Sequence, residues 1–503
     1  MVNRIVANSA LNAAAGLSLL LVGFICSIIT ARLLGPEANG IIAFSLWLAV
    51  TASLVAELGT GVMLLRLLPQ LKTQGYSPED RRGFAAYLLR PVLISTIVIV
   101  TVYGLFFWLA GREHWATSAP TVVIITGVLL FVQSIGSFTK NYLLGEQNVA
   151  AFFRLSAIAG GLQLLSVLAG AVFFGIPGAL AGYTIAFGLQ FFYSLGILRT
   201  KVNRCGISAR YLVGSSALLS MQFVVDSIFL NRVEFFFLQQ YQGIEVVGFY
   251  AVAFTLANLA LQLPVQLSGS LVPYYSEKLH AQDGQGLPVE VFEGVVRSLS
   301  YVTLPMSFGL AAIAPSLVTL VFGDAFTSSG PMLIVLALGV PAAVYSMICT
   351  QYLFSLDKIR ERLIVGIVGA IVMVVGDLAL VPSYGGEGAA LVRIAVFVVM
   401  SVLMMRWMHF TGSLKAMFAS LARVTLAALV CGGVAYGLVQ AVTGLGGLVL
   451  AVSAGAAAYF VALKLLRAVP AQDREAIESI AARLPGPLAR ITMRLVGFLS
   501  AAR

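Results

Sequence analysis

Long apolar runs follow one another along almost the whole chain, about fourteen of them at roughly 20 residues or more each, which is the length that spans a bilayer as a helix. They occupy 9–31, 39–68, 85–110, 120–144, 149–174, 179–199, 212–235, 245–272, 292–321, 331–355, 362–383, 387–408, 416–440 and 446–467. Inside hydrocarbon every backbone N–H and C=O must be satisfied within the protein, so runs of this kind are transmembrane helices. The polar gaps are too short to hold a soluble domain. With 59% hydrophobic and 10% charged residues, against about 25% charged in a soluble domain, the chain reads as an all-α polytopic membrane protein.

The stretch Ala31 to Pro69 shows how the runs are joined. ARLLGPEANG closes one apolar run and opens the next, with Gly35-Pro36 at the corner. Proline cannot continue the incoming helix, glycine accepts the positive φ of a helix end, and Glu37 suits the N-terminus of the following helix. Arg32 sits where a cation favours the C-terminal end of the first. A related corner returns 208 residues later, where Leu238 to Leu256 lies over it with Gly248 on Gly40, and Pro273 answers Pro69. At an offset of 210, Asn141 to Gln147 falls on Gln351 to Asp357 and Gly178 to Gly182 on Gly388 to Val392. Three matches in order at nearly one offset indicate two homologous halves.

The formal charge of +10 does not mark a nucleic-acid binder, because the basic residues are scattered among interhelical loops. They are topology signals instead. With the N-terminus inside, the outer connections hold only Arg32, Arg112 and Arg232 at or near their ends. The inner ones hold the rest, among them Arg66, Lys72, Arg81, Arg82, Lys201, Arg204, Lys278, Lys358 and Arg360. Both termini are thus expected in the cytoplasm, with an uncleaved first span. Cys26, Cys205, Cys349 and Cys431 are far apart and form no CxxC, and His114, His280 and His409 lie in separate loops. Neither a metal site, a disulfide framework, a cofactor site nor a catalytic set is supported. Beyond Pro470 the chain ends in two short amphipathic segments: Ile477, Ile480, Ala481 and Leu484 share one face of the first, and after Pro485-Gly486-Pro487 Leu488, Ile491, Leu495 and Phe498 share one face of the second, with Arg490 and Arg494 beside them. That pattern suits a surface anchor on anionic lipid.

Charges inside the spans are the informative residues: Glu57, Lys140, Arg154, Asp226, Arg232, Asp377 and Arg393. Lys140, Arg154 and Arg232 lie near span ends, where snorkelling to the interface explains them. Glu57, Asp226, Asp377 and Arg393 lie deeper; structural pairing and a role in a water-filled cavity both account for them. Pro264, Pro273, Pro305, Pro315 and Pro341 mark bends, and the 49 glycines serve mainly close helix packing.

Several motifs resemble those of the Wzx-type polysaccharide flippases, within the multidrug/oligosaccharidyl-lipid/polysaccharide exporter superfamily. They are A-R-L-L-G-P-E-x-x-G at Ala31 to Gly40, E-L-G-x-G at Glu57 to Gly61 with R-x-x-P at Arg66 to Pro69, V-G-F-Y-A at Val247 to Ala251, F-G-x-x-F at Phe322 to Phe326, and V-P-x-Y-G-x-x-G-A-A at Val381 to Ala390. The resemblance covers roughly residues 1–410. Asn39 departs from the pattern, since an aromatic residue is common before the glycine.

The resemblance implies two six-helix bundles, 1–205 and 206–410, with two additional helices in 411–468 and a cytoplasmic tail in 469–503. It implies alternating access for a polyprenyl-diphosphate-linked oligosaccharide in the inner membrane of a bacterium, serving O-antigen, capsule or exopolysaccharide synthesis. Arg32, Arg154, Arg232 and Arg393 are then the candidates for binding the diphosphate, which needs cations in a dry cavity. Glu57, Asp226 and Asp377 are the candidates for ion coupling. Membrane lipids, a polysaccharide polymerase and a chain-length regulator are the expected partners. A drug or metabolite exporter of the same superfamily shares the fold but would line its cavity with aromatics and acids. A membrane-embedded polymerase or ligase would carry a large outward loop, which is absent from this sequence, and a scaffold for other synthases is the remaining alternative.

Overall fold

The computed structural model describes residues 2–109, 120–208, 221–222, 224–268, 271, 274–275, 287–408, 410–411, 415–470, 473 and 497. Its helices are α1 (Val2–Ala56), α2 (Thr60–Thr73), α3 (Pro78–Leu109), α4 (Pro120–Gly145), α5 (Val149–Leu198), α6 (Glu234–Gln242), α7 (Ile244–Ser268), α8 (Val289–Phe322), α9 (Ser329–Ser355), α10 (Ile359–Met405), α11 (Lys415–Ala441) and α12 (Gly444–Leu465). Two residue pairs, Leu287–Pro288 and Phe410–Thr411, form a short parallel bridge. The protein is an all-α, multi-pass membrane protein.

Three of these helices are too long for one crossing. At about 1.5 Å per residue α1 would run some 80 Å, against a hydrocarbon core of about 30 Å. Each turns back at a glycine of positive φ: Gly35 in α1, Gly175 in α5 and Gly385 in α10. Contacts across the corners show the return. Thr30 Oγ1 donates to Asn39 Oδ1 at 3.3 Å across Gly35, and Ser166 Oγ to the Gly182 carbonyl at 3.0 Å across Gly175. Ten helices among the described residues are long and apolar enough to cross a membrane, and the three hairpins among them bring the crossings to about thirteen, each helix needing about 20 residues. The remaining expected run, 212–235, lies partly outside the described residues. So do the loop Gly111 to Trp115, Pro273, His114, His280 and His409, and the amphipathic tail except Asp473 and Gly497.

The second apolar run requires a correction. Residues 39–68 are not one helix, because Leu58 (φ 48) and Gly59 (φ 72) take the left-handed conformation and break the chain between α1 and α2. Leu58 has no conformational advantage there; Gly59 is the residue that makes the break affordable. Glu57 therefore sits at a helix end rather than deep within a span. The ninth run goes the other way: α8 continues through Pro305 and Pro315 as one helix.

The repeat found in the sequence is present in the backbone. Gly35 has φ 82, ψ 179 and Gly243 has φ 89, ψ 171; Gly175 has φ 61, ψ −137 and Gly385 has φ 53, ψ −133. Gln147 and Asp357, aligned at offset 210, are both left-handed, with φ 59 and 56. Side chains that would be unwelcome on a soluble protein cover the surface, such as Trp108 at 79% and Phe173 at 75% exposed. Their solvent is lipid.

By residue contacts the chain forms two compact units, Met1–Ala251 with Gly366–Ala389, and Val252–Val365 with Ala390–Arg503. The first has a core around Leu64, Phe84 and Phe138 and another around Ile41, Val167 and Tyr183. The second packs Leu304, Val424 and Tyr459 together, with α8, α11 and α12 contributing.

Candidate functional site

In the first unit the break after α1 builds a polar site. Glu57 is 6% exposed and its Oε2 accepts a hydrogen bond from Asn141 Nδ2 of α4 at 3.3 Å. Gly61 makes the approach feasible, since a Cβ there would stand 2.3 Å from that amide nitrogen's position without it moving. The E-L-G-x-G motif is thus a left-handed break, a buried carboxylate and the gap that admits its partner. Lys140, next to Asn141, is exposed.

A second group lies around α6. Asp226 opens a π-helical turn, Asp226–Leu230, and Arg232 and Glu234 follow within eight residues. Such turns recur where a side chain is re-aimed for function. Asp226 and Arg232 are half-buried; Glu234 is fully buried and accepts a hydrogen bond from Tyr250 Oη at 3.1 Å. Glu234 is not among the candidates that the sequence offers. Its signal was a carboxylate in an apolar run, and the buried tyrosine of V-G-F-Y-A is its partner. At the other end of α6, Gln242 Nε2 donates to the carbonyls of Val381 and Pro382, both at 2.9 Å, which gives V-P-x-Y-G its backbone anchor. Asp377, one turn before these carbonyls, has no exposed surface.

Arg393 belongs to the second unit. Its guanidinium lies over the Phe254 ring at 4.8 Å from the centroid and 5.9 Å from that of Phe397. Together with Asn258, these side chains border a narrow cleft of about 30 Å³ between α7, α9 and α10. Each cation–π contact is worth about 0.5–2 kcal/mol, comparable to the roughly 2.5–3.5 kcal/mol that insertion of an arginine at mid-bilayer costs. The rings therefore stabilise Arg393 at membrane depth, while a guanidinium held by its face still carries donors around its edge.

The second unit also contains an apolar groove of about 530 Å³ walled by α7, α8, α11 and α12. Along α8 it extends from Tyr301 to Leu317, about 24 Å at helical rise. Small residues, Gly309, Ala435, Ala451 and Gly455, form its floor. At the Tyr301 end stands a buried ion cluster. Arg297 Nε and Nη2 donate to the two oxygens of Asp473 at 2.5 and 2.7 Å, and Nη1 donates to Glu293 at 2.7 Å. Tyr301 Oη donates to Asp473 at 2.8 Å. In the sequence Arg297 is one basic residue among many, and its partner 176 residues away leaves no sign there.

Of the seven candidate residues, Arg32 and Arg154 are exposed. Glu57, Asp226, Arg232 and Asp377 share the first unit with them, and Asp226 opens the π-helical turn that Arg232 follows. Arg393 is the candidate that belongs to the second unit.

Residues 29–331 match the sequence family described as polysaccharide biosynthesis protein. The chain is 24% identical over 407 residues to "Probable flippase AglR" of Haloferax volcanii, covering 79% of this chain and 82% of that one. It is 22% identical over 191 residues to "Probable low-salt glycan biosynthesis flippase Agl15" of the same organism, 38% of this chain, and so spans only 40% of that relative's length. Among solved structures, the lipid II flippase MurJ in an inward closed conformation superposes with a TM-score of 0.72 at 15% identity, over 91% of this chain and 98% of MurJ. An inward-facing multidrug resistance transporter of the MATE family gives 0.56 at 15% identity, over 78% and 97%. At such identities these structures establish a shared fold.

Proposed function

Since the chain belongs to the polysaccharide biosynthesis protein family, whose relatives here are flippases, we propose that it carries a polyprenyl-diphosphate-linked oligosaccharide across the inner membrane of a bacterium. The groove of the second unit carries this reading. Its walls are hydrocarbon over about 24 Å, which suits an isoprenoid chain, and a chain of that kind is the part common to lipid-linked saccharides of any sugar sequence. A diphosphate needs charge-assisted donors, and Arg393, Arg232, Arg154 and Arg32 are the arginines assigned to it. Glu57, Asp226 and Asp377 are assigned to ion coupling. The protein acts as a transporter and not as an enzyme. The basic loops, on this reading, lie in the cytoplasm with both termini, and a polymerase and a chain-length regulator receive the product.

The buried acids Glu57, Glu234 and Asp377 favour a second reading, export of an organic cation on the same fold. Deletion of the protein separates the two. The flippase reading expects surface polysaccharide to disappear while lipid-linked repeat unit accumulates on the cytoplasmic side, and Ala456→Trp, which fills the groove, to give the same result with normal protein level. Unchanged polysaccharide with new drug sensitivity would establish the cation exporter, and absence of the repeat unit would place the protein earlier, as an enzyme.

A further inference from the structure

The two corner motifs, 208 residues apart in sequence, pack on each other. A Cβ on Gly40 would collide with the carbonyl oxygen of Ile244, and a Cβ on Gly248 with that of Pro36; each would also lie 3.0 Å from the other glycine's amide nitrogen. Under the 208-residue offset Pro36 corresponds to Ile244 and Gly40 to Gly248. The two contacts are therefore interchanged by the repeat, as in an isologous two-fold contact. Asn39 Nδ2 donates to the Gly248 carbonyl at 3.2 Å, and Asn39 itself is 4% exposed. Asn39, the departure from the family pattern, thus spans the crossing with a hydrogen bond.

The position of the crossing matters. It lies five residues beyond Gly35 and Gly243, about 7.5 Å from the helix ends, on the face away from the basic loops. Backbone meets backbone at the two glycines, so the closure is tight, and the Asn39 amide fastens it with a hydrogen bond. The hairpin contact of Gly170 with Gly178 is similar in form but is tethered by its own short loop. The crossing of the two motifs, by contrast, joins helices from different halves of the repeat, which alternating access must separate.

We propose that Gly40 and Gly248 form the reversible seal of the transport path at the face away from the basic loops, fastened by Asn39. The inference rests on the transport reading above, but its test does not use substrate. A cysteine is placed at Ala38, which is 7% exposed, and its rate of modification by a membrane-impermeant maleimide is measured from outside the cell, per molecule of inserted protein. Gly248→Ala is expected to raise that rate at least tenfold, since the added carbon cannot share the site with the Pro36 carbonyl. Asn39→Ala adds no atom and is expected to raise it about fivefold, the change that loss of one net hydrogen bond produces. Export of polysaccharide should fall in both.

Unchanged labelling in both variants overturns the seal, and so does a fall in protein amount with an unaltered rate per molecule, which is what a merely structural crossing would show. If Gly248→Ala does not reach the membrane, Asn39→Ala decides alone. A protein that moves some other cargo would still show the labelling change, so failure of the flippase reading is read from the deletion and failure of the seal from the maleimide.

Discussion

Replacing Asp473 with asparagine keeps the side chain's size and removes the charge that binds the segment after α12 to α8. In the wild type Arg297 holds Asp473 through two charge-assisted bonds and Glu293 through a third, with both pair members about one-tenth exposed. Breaking a buried ion pair costs about 3–5 kcal/mol when the surviving charge is stranded. Here Arg297 keeps Glu293, so the loss is nearer the value of a hydrogen bond to a charged group, about 1.5–3 kcal/mol. Two kcal/mol is about 30-fold in the equilibrium between docked and undocked segment. Hydrogen exchange of the purified protein measures that equilibrium directly. The Ala468 amide, bonded to the Leu463 carbonyl at 3.0 Å, should exchange roughly 30-fold faster in Asp473→Asn, while amides of α4 in the other unit keep their wild-type rates. Salt should alter the effect little, because the cluster is buried. Exchange at Ala468 within twofold of wild type, with the protein otherwise intact, would refute the reasoning and reduce the cluster to surface ion pairing.

Two further predictions follow from the candidate residues and from the loop charges. Asp377 and Arg393 stand eight residues to either side of Gly385, about 12 Å along each helix; Arg393→Ala should abolish export with the protein still inserted, and the swap Asp377→Arg with Arg393→Asp should preserve protein level without restoring export, so full export from the swap would remove Arg393 from substrate binding. Cysteines introduced one at a time in Gly111 to Trp115 should react with an impermeant maleimide from outside and those in Lys201 to Ser208 should not, and labelling of the second loop from outside would reverse the topology. Native Cys205 is a poor probe for that loop, because burial, aided by the nearby Asp80, pushes its thiol up from the ordinary range.

The membrane-spanning character, the hairpin corners and the repeat could be read from the sequence, because each rests on local chemistry. An apolar run of bilayer length has few alternatives to a helix, and Gly35-Pro36 terminates one wherever it occurs. The offset of 208 to 210 was visible because the corners need the same residue types in both halves. The break at Leu58 was missed since nothing local requires a leucine to take positive φ; only Gly59 hinted at it, and packing of α2 decided it. Burial of charge depended on tertiary structure throughout. Asp473 and Arg297 are 176 residues apart and Asn39 and Gly248 are 209 apart, and neither pairing leaves a periodic trace. A charged or amide side chain in an apolar chain announces that it needs a partner, because hydrocarbon offers none. Which partner it finds is set by the helices that happen to cross at its depth, and that is a property of the folded molecule alone.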